Sequence, residues 1–193
     1  MDVTPSIRSF AQAIDRQRQS LERIPLLRAS DLDLALKLDQ AEAAALAISA
    51  TDAELAAFGQ VAQAVSIPVL RMAALSEEFR VYESRAAGAD AVMLSAAAVP
   101  PELLARLVLA AKSTHMAACV HCVSVHEVEQ AVHAKAPMLL VPEHLLDMPA
   151  PPRTLILAMY ASGLRGRADA ALDASFATAP DPAAAFRSAL EED

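Results

Sequence analysis

Few side chains in this sequence could do chemistry, and the densest group is Cys119, His121 and Cys122 in "MAACVHCVSV". The C-x-x-C spacing is that of a thiolate metal site or a redox pair. On a strand, however, residues three apart face opposite sides, so the two thiols should diverge. A structural zinc site also wants four converging ligands, and the chain has only these two cysteines. They read as small buried thiols, and no metal is expected. His121, closing the apolar run, is a candidate base or ligand-binding group; the competing reading is a histidine that merely fills space. His126 and His133, two helical turns apart, read as part of a solvated face.

A second candidate is Ser162-Gly163-Leu164-Arg165-Gly166-Arg167. Two glycines and two arginines suit an anion site, with backbone amides from Ser162 and Gly163 and charge from Arg165 or Arg167. The alternative is a solvated turn. Arg28 and Arg71 close two similar apolar runs, "IPLLR" and "IPVLR", and are either anion contacts or salt-bridge partners. After Arg71 come Met72, Ala73, Ala74 and Leu75, which hold no acid, base or nucleophile. The only lysines are Lys37, Lys112 and Lys135, all in or at the end of helical stretches. None is placed to act as a general acid or to form a Schiff base.

The elements that must position these groups alternate along the chain. Ile7, Phe10, Ile14 and Leu21 are spaced as a helix stripe, which predicts a leading helix within residues 1–22 starting near Pro5. Then come "RIPLLRAS" as strand, a helix from Leu32 to Ala43, "AAALAIS" as strand and "DAELAAFGQVAQAV" as helix. "IPVLR" is strand, "SEEFRVYESRAAG" is helix with a glycine stop, and "DAVMLS" is strand. "PPELLARLVLAAKS", "MAACVH", "SVHEVEQAVHA" and "PMLLV" continue helix, strand, helix, strand. "PEHLLDMPAPPR" is a proline-rich connection, "TLILAM" and "DAALDAS" are the last strands, and "DPAAAFRSALEED" is a helix capped by Asp181. About eight strands separated by helices predict a parallel α/β fold, and the count favours a (β/α)8 TIM-type barrel over an open sheet. Residues 162–170 leave no room for a helix, so the seventh unit should be shortened. One domain covers residues 1–193, with the barrel proper at 23–193.

Composition is consistent with this. Of 193 residues, 55% are hydrophobic, 21% charged and 4% aromatic, with no tryptophan and a net charge of −8. An acidic surface argues against nucleic-acid or anionic-membrane binding. The N-terminal residues lack the pattern of a secretory signal, and no apolar run reaches a membrane span. A cytoplasmic protein is the expectation.

"SIPVLR" followed by "EEFRVYESRAAGADAVMLSAAA", then "MAACVHCVSVHEVEQAV", resembles the indole-3-glycerol-phosphate synthase family, the barrel enzymes of tryptophan biosynthesis. "PSIRSF", "LLRAS", "EAAALAIS", "YASGL" and "DPAAAFRSAL" extend the likeness. The resemblance implies a carboxy-lyase that closes an indole ring on a carboxyphenylamino-deoxyribulose phosphate, using lysines, glutamates, an asparagine and a phosphate cradle, with no cofactor. Carried over by position, the first strand's glutamate and lysine fall on Pro25 and Leu27, and the third strand's lysine on Met72. The fifth strand's glutamate falls on His121, the asparagine near Val141 or Pro142, and the glutamate after strand seven on Ala161. A general acid needs a proton to give, and these side chains, His121 apart, have none.

The implied reading is therefore a family member without its catalysts, acting by binding a small molecule or sugar phosphate, or a protein partner or second copy. One alternative is an active lyase whose missing groups are supplied by His121, Arg28 or Arg71. Another is a structural subunit, in which the missing helix would bare an apolar stripe for a partner.

Overall fold

Residues 3–15, 20–149 and 151–192 are described by the computed structural model. Eight parallel strands close into a barrel in chain order. They are β1 Glu22–Arg28, β2 Leu46–Ser49, β3 Val69–Leu75, β4 Ala91–Ser95, β5 Ala117–His121, β6 Met138–Leu140, β7 Leu155–Met159 and β8 Ala170–Asp173. β8 returns to β1 with Ile24 opposite Leu172, which closes the ring. The strands are apolar along their length because one face lines the lumen and the other meets helices. The barrel expected from the order of elements is the one observed.

The helices are α1 Phe10–Ile14, α2 Leu32–Gln40, α3 Leu55–Ala64, α4 Glu78–Ala86, α5 Pro101–Ser113, α6 Val125–His133 and α7 Pro182–Glu192. Local chemistry sets their ends. Ser124 accepts the Glu127 amide at 3.3 Å to open α6, and the Asp181 carboxylate accepts the Ala184 amide at 3.0 Å to open α7. Gly88 ends α4 at φ 106°, a left-handed geometry that glycine adopts without strain.

Of the leading helix that the apolar spacing predicts, only Phe10–Ile14 is helical among the described residues. Residues 16–19 of the expected helix lie outside the described residues. Ahead of α1 the chain is drawn under the barrel instead. The Ser6 amide donates to the Thr114 carbonyl at 2.9 Å, while the Ser6 hydroxyl (2.6 Å) and Arg8 (2.7 Å) engage Asp90. Phe10 and Ile14, both fully buried, then plug the bottom of the lumen.

Two connections lack helices among the described residues. The β7–β8 segment does, as expected, but so does β6–β7, which carries only the 3₁₀ turn Glu143–Leu145. The apolar stripe that such trimming should bare is not bare. Leu139, Ile156 and Ala158 on the outer faces of β6 and β7 stay buried, in one cluster with Leu145, Leu146 and Leu164 from the two connections. Loop leucines cover the sheet where helices would. No helix among the described residues is long and apolar enough to cross a membrane.

Inside the barrel the strand registers stack inward side chains in layers of four from alternate strands, as a shear of about 8 requires. Ile24, Leu70, Cys119 and Leu157 form one layer, and Ala47, Met93, Leu140 and Leu172 the next. The layer above, the last before the C-terminal mouth, is Leu26, Met72, His121 and Met159. Three apolar side chains and one imidazole thus form the floor of the place where barrels of this kind do their chemistry.

Candidate functional site at the barrel mouth

Above that floor lies a cavity of ≈ 510 Å³, within the rough 300–1,000 Å³ span of small-molecule sites. Met72 from β3, Met93 from β4, His121 and Leu140 form its base, and Ala158, Met159, Tyr160, Ala161 and Leu164 wall one side. Val141, Pro142 and Glu143 complete it. His121 is part-exposed at the end of β5, and among the described residues its ring has no hydrogen-bond partner. Tyr160 is fixed at the rim, where the Arg23 guanidinium lies 3.5 Å from its ring centroid, and Arg23 is itself paired with Asp173.

The candidate residues divide sharply. Met72, His121, Val141 and Ala161 line the cavity. Pro25 and Leu27, the positions matched to a glutamate and a lysine, do not face the lumen. Leu26 packs with the inner cluster and Leu27 with the outer one, so the inward residues of β1 are Leu26 and Arg28. Arg28 instead borders a separate groove with Asp31, Ser49 and Thr178. Among the described residues its guanidinium has no ion-pair partner, while its backbone amide donates to the Asp31 carboxylate at 2.9 Å.

Arg71 is not in the mouth at all. It points outward from β3 and is fully buried, donating to the Ala50 carbonyl (3.2 Å), the Ser84 hydroxyl (2.8 Å) and Asp52 (2.7 Å). Of the two roles read from its position, salt-bridge partner is the one it fills.

The Ser162–Arg167 turn has its glycines in left-handed geometry, Gly163 at φ 84° and Gly166 at φ 77°. Leu164 is tucked under it, and Ser162, Gly163 and Arg165 are exposed. Arg167 does not turn toward the cavity's centre. It grips Asp147 at 2.8 Å and approaches Glu143 at 3.5 Å, pinning the two helix-free connections together. The hydrogen bond from Arg167 holds the Asp147 carboxyl below its usual range, and the same bond raises the guanidinium. The anion candidates are thus scattered: one guanidinium is buried outside the sheet, one is bound to carboxylates, and Arg165 stands in solvent.

The thiols diverge as strand geometry requires. Cys119 lies in the lumen and Cys122 in the outer core. Burial pushes both up to about 12, so neither is a thiolate nucleophile near neutral pH. Among the described residues no group of three or more His, Cys, Asp or Glu could hold a metal ion.

Sequence reasoning passed over Met93, Met159, Tyr160 and Glu143. Stepping by two from each strand's last residue would have found the methionines: Met159 ends β7 itself, and Met93 lies two before the end of β4. Tyr160 carried no such signal, because its position depends on Arg23 from a strand distant in sequence.

Comparison with known proteins fits this geometry. The profile of the family described as indole-3-glycerol phosphate synthase matches residues 6–146. The indole-3-glycerol phosphate synthase of Chlorobium phaeovibrioides is 30% identical over 202 aligned positions, covering 89% of this chain and 78% of that protein. That of Burkholderia cenocepacia is 40% identical over 76 residues, and this match spans 29% of its length. Among solved structures, a 3-hexulose-6-phosphate synthase superposes with TM-score 0.66 at 17% identity, covering 88% of this chain and 97% of that one. The orotidine 5'-phosphate decarboxylase of Pyrococcus horikoshii does so with TM-score 0.66 at 13% identity, covering 86% and 96%. These last two speak to the fold alone.

Proposed function

Because this chain belongs to the indole-3-glycerol phosphate synthase family, we propose that it is a non-catalytic member that binds a ligand in the barrel mouth. One observation carries the reading: no lysine stands there. Lys37 is in α2, Lys112 in α5, and Lys135 follows α6. Where the resemblance expects the third strand's lysine, Met72 faces the cavity with no proton to donate. Loss of a positioned acid or base costs roughly 10²- to 10⁴-fold, and here several are replaced together. Glu143, the one carboxylate lining the cavity among the described residues, is approached by Arg167.

The second reading is an authentic carboxy-lyase, and the family relatives carry the name indole-3-glycerol phosphate synthase. Within the mouth its favourable feature is His121, whose ring faces the cavity without a hydrogen-bond partner among the described residues. Arg71 gives it no support, being buried behind the sheet.

Steady-state assay with carboxyphenylamino-deoxyribulose phosphate between about pH 5 and 9 separates the two. Product at the uncatalysed rate is the expected result. Product above that rate, abolished by His121→Ala, would establish the lyase instead.

A further inference from the structure

The chemistry of the cavity wall also restricts what can bind. We propose that the ligand is an uncharged, planar aromatic molecule of one or two rings carrying one hydrogen-bonding group for His121. This rests on the reading of the mouth as a binding site, and it adds the class of ligand. It departs from the phosphorylated substrate that the family resemblance implies.

Three thioethers meet at this cavity, Met72, Met93 and Met159, brought there by three different strands. Thioether sulfur is polarizable, and methionine favours contact with aromatic ring edges while adapting its three torsions to a flat guest. Leu140, Ala158 and Leu164 supply the remaining wall, so the cavity offers contact area and little polarity. A guest that fits this wall needs few polar groups, and their placement is dictated by His121 in the floor. An imidazole has a donor nitrogen and an acceptor nitrogen, so it can serve a hydroxyl or a ring N–H.

Charge argues in the same direction. Among the described residues no arginine or lysine lines the cavity. Arg71 is committed behind β3, and Arg167 is held by Asp147. The carboxylate at the rim, Glu143, would oppose an entering anion. A phosphate ester moved into such a wall would lose its hydration without gaining a paired charge. An uncharged ring system gives up little hydration and gains contact on several sides.

The absence of tryptophan from the chain makes the test direct, since a fluorescent aromatic probe is read against no indole background. 2-Naphthol and 2-naphthyl phosphate share one ring system and differ in charge. Titration of the wild-type protein should show saturable 1:1 binding of 2-naphthol, with 2-naphthyl phosphate at least 10-fold weaker. His121→Leu should weaken 2-naphthol about 5-fold or more while leaving naphthalene, which lacks the hydroxyl, unchanged. Met72→Lys should invert the order of naphthol and naphthyl phosphate.

Equal or tighter binding of the phosphate by the wild-type protein would overturn the proposal, as would failure of 2-naphthol to saturate. An equal loss of naphthol and naphthalene in His121→Leu would overturn the role of His121. These outcomes are independent of turnover. A protein that forms product from the family's substrate refutes the non-catalytic reading whatever naphthol does, and a preference for naphthyl phosphate refutes only the ligand class.

Discussion

At the bottom of the barrel Asp90 is 1% exposed, and its carboxylate takes Arg8 (2.7 Å), Arg85 (3.1 Å), the Ser6 hydroxyl (2.6 Å) and the Val69 amide (3.0 Å). At the top, Met72, Met93 and Leu140 line the base of the cavity with His121, whose ring meets no partner among the described residues. One end is built from satisfied buried charge, the other from apolar surface with one unpaired polar group. In barrels of this type the bottom serves stability and the top serves chemistry. Here the bottom has what a stable fold needs, whereas the top is a largely apolar cavity whose polar side chains are His121, Glu143 and Tyr160 among the described residues.

If that division is real, damage at the bottom should unfold the protein without altering the mouth. Asp90→Ala leaves two guanidinium groups without their counter-charge and the buried Val69 amide without its acceptor. Removing one partner of a buried ion pair costs roughly 3–5 kcal/mol, and denaturant unfolding should report a loss of that order. In the fraction that stays folded, 2-naphthol affinity should match wild type. A change in affinity larger than the change in folded fraction would mean the two ends are coupled.

Gly163→Ala probes the mouth's rim and should cost about 1 kcal/mol, because an alanine must take φ 84° there. A Cβ at this position meets no atom within 4 Å, so the penalty is conformational and not steric. Gly163→Asn, which tolerates left-handed geometry better, should recover part of it. Equal losses for both variants would point to a contact instead.

The thiols give an effect of defined sign that is confined to alkaline pH. Their ordinary value of 9.0 is raised in the fold to about 12 by burial. The folded chain therefore keeps protons that the unfolded chain releases, so their contribution is intact below pH 9 and declines from 9 toward 12. Urea midpoints should fall over that range, and a Cys119→Ala/Cys122→Ala variant should fall less steeply. Alkylation of the native protein at pH 8 should be slow, and rapid modification of either cysteine would contradict its burial.

The Asp147–Arg167 pair at the rim should matter least, since exposed ion pairs add little. The carboxyl is held below its usual 3.8, so its contribution is present above about pH 4 and is lost as pH falls through the lowered value. Asp147→Asn should leave the neutral-pH unfolding midpoint nearly unchanged, and a large loss would show that this pair carries the helix-free arc.

How far the sequence discloses this arrangement depends on the element. The barrel is legible because strand and helix periods alternate in order, and the Ser124 and Asp181 caps can be read from residue type. The facing of β1 is not. "IPLL" is apolar throughout, so no alternation fixes its phase, and a one-residue slip exchanges lumen for outer face. That slip separates Pro25 and Leu27 from the inward Leu26 and Arg28. Arg71 looks like a strand-end cation because its partners Ala50, Asp52 and Ser84 come from other elements, which only the closed barrel brings together. The loop leucines over β6 and β7 are hidden similarly, since a proline-rich connection gives no periodic sign of what it covers.

The central claim, that the mouth lacks the means to transfer a proton to the family's substrate, is tested most directly by a single-turnover experiment. Protein in excess over carboxyphenylamino-deoxyribulose phosphate reveals even one slow event per molecule. The account predicts that substrate decays at its rate in buffer, and that Met72→Lys alone changes nothing, because the first-strand lysine and the glutamates are still missing. Stoichiometric indole-glycerol phosphate from the wild-type protein, lost on His121→Ala, would contradict it.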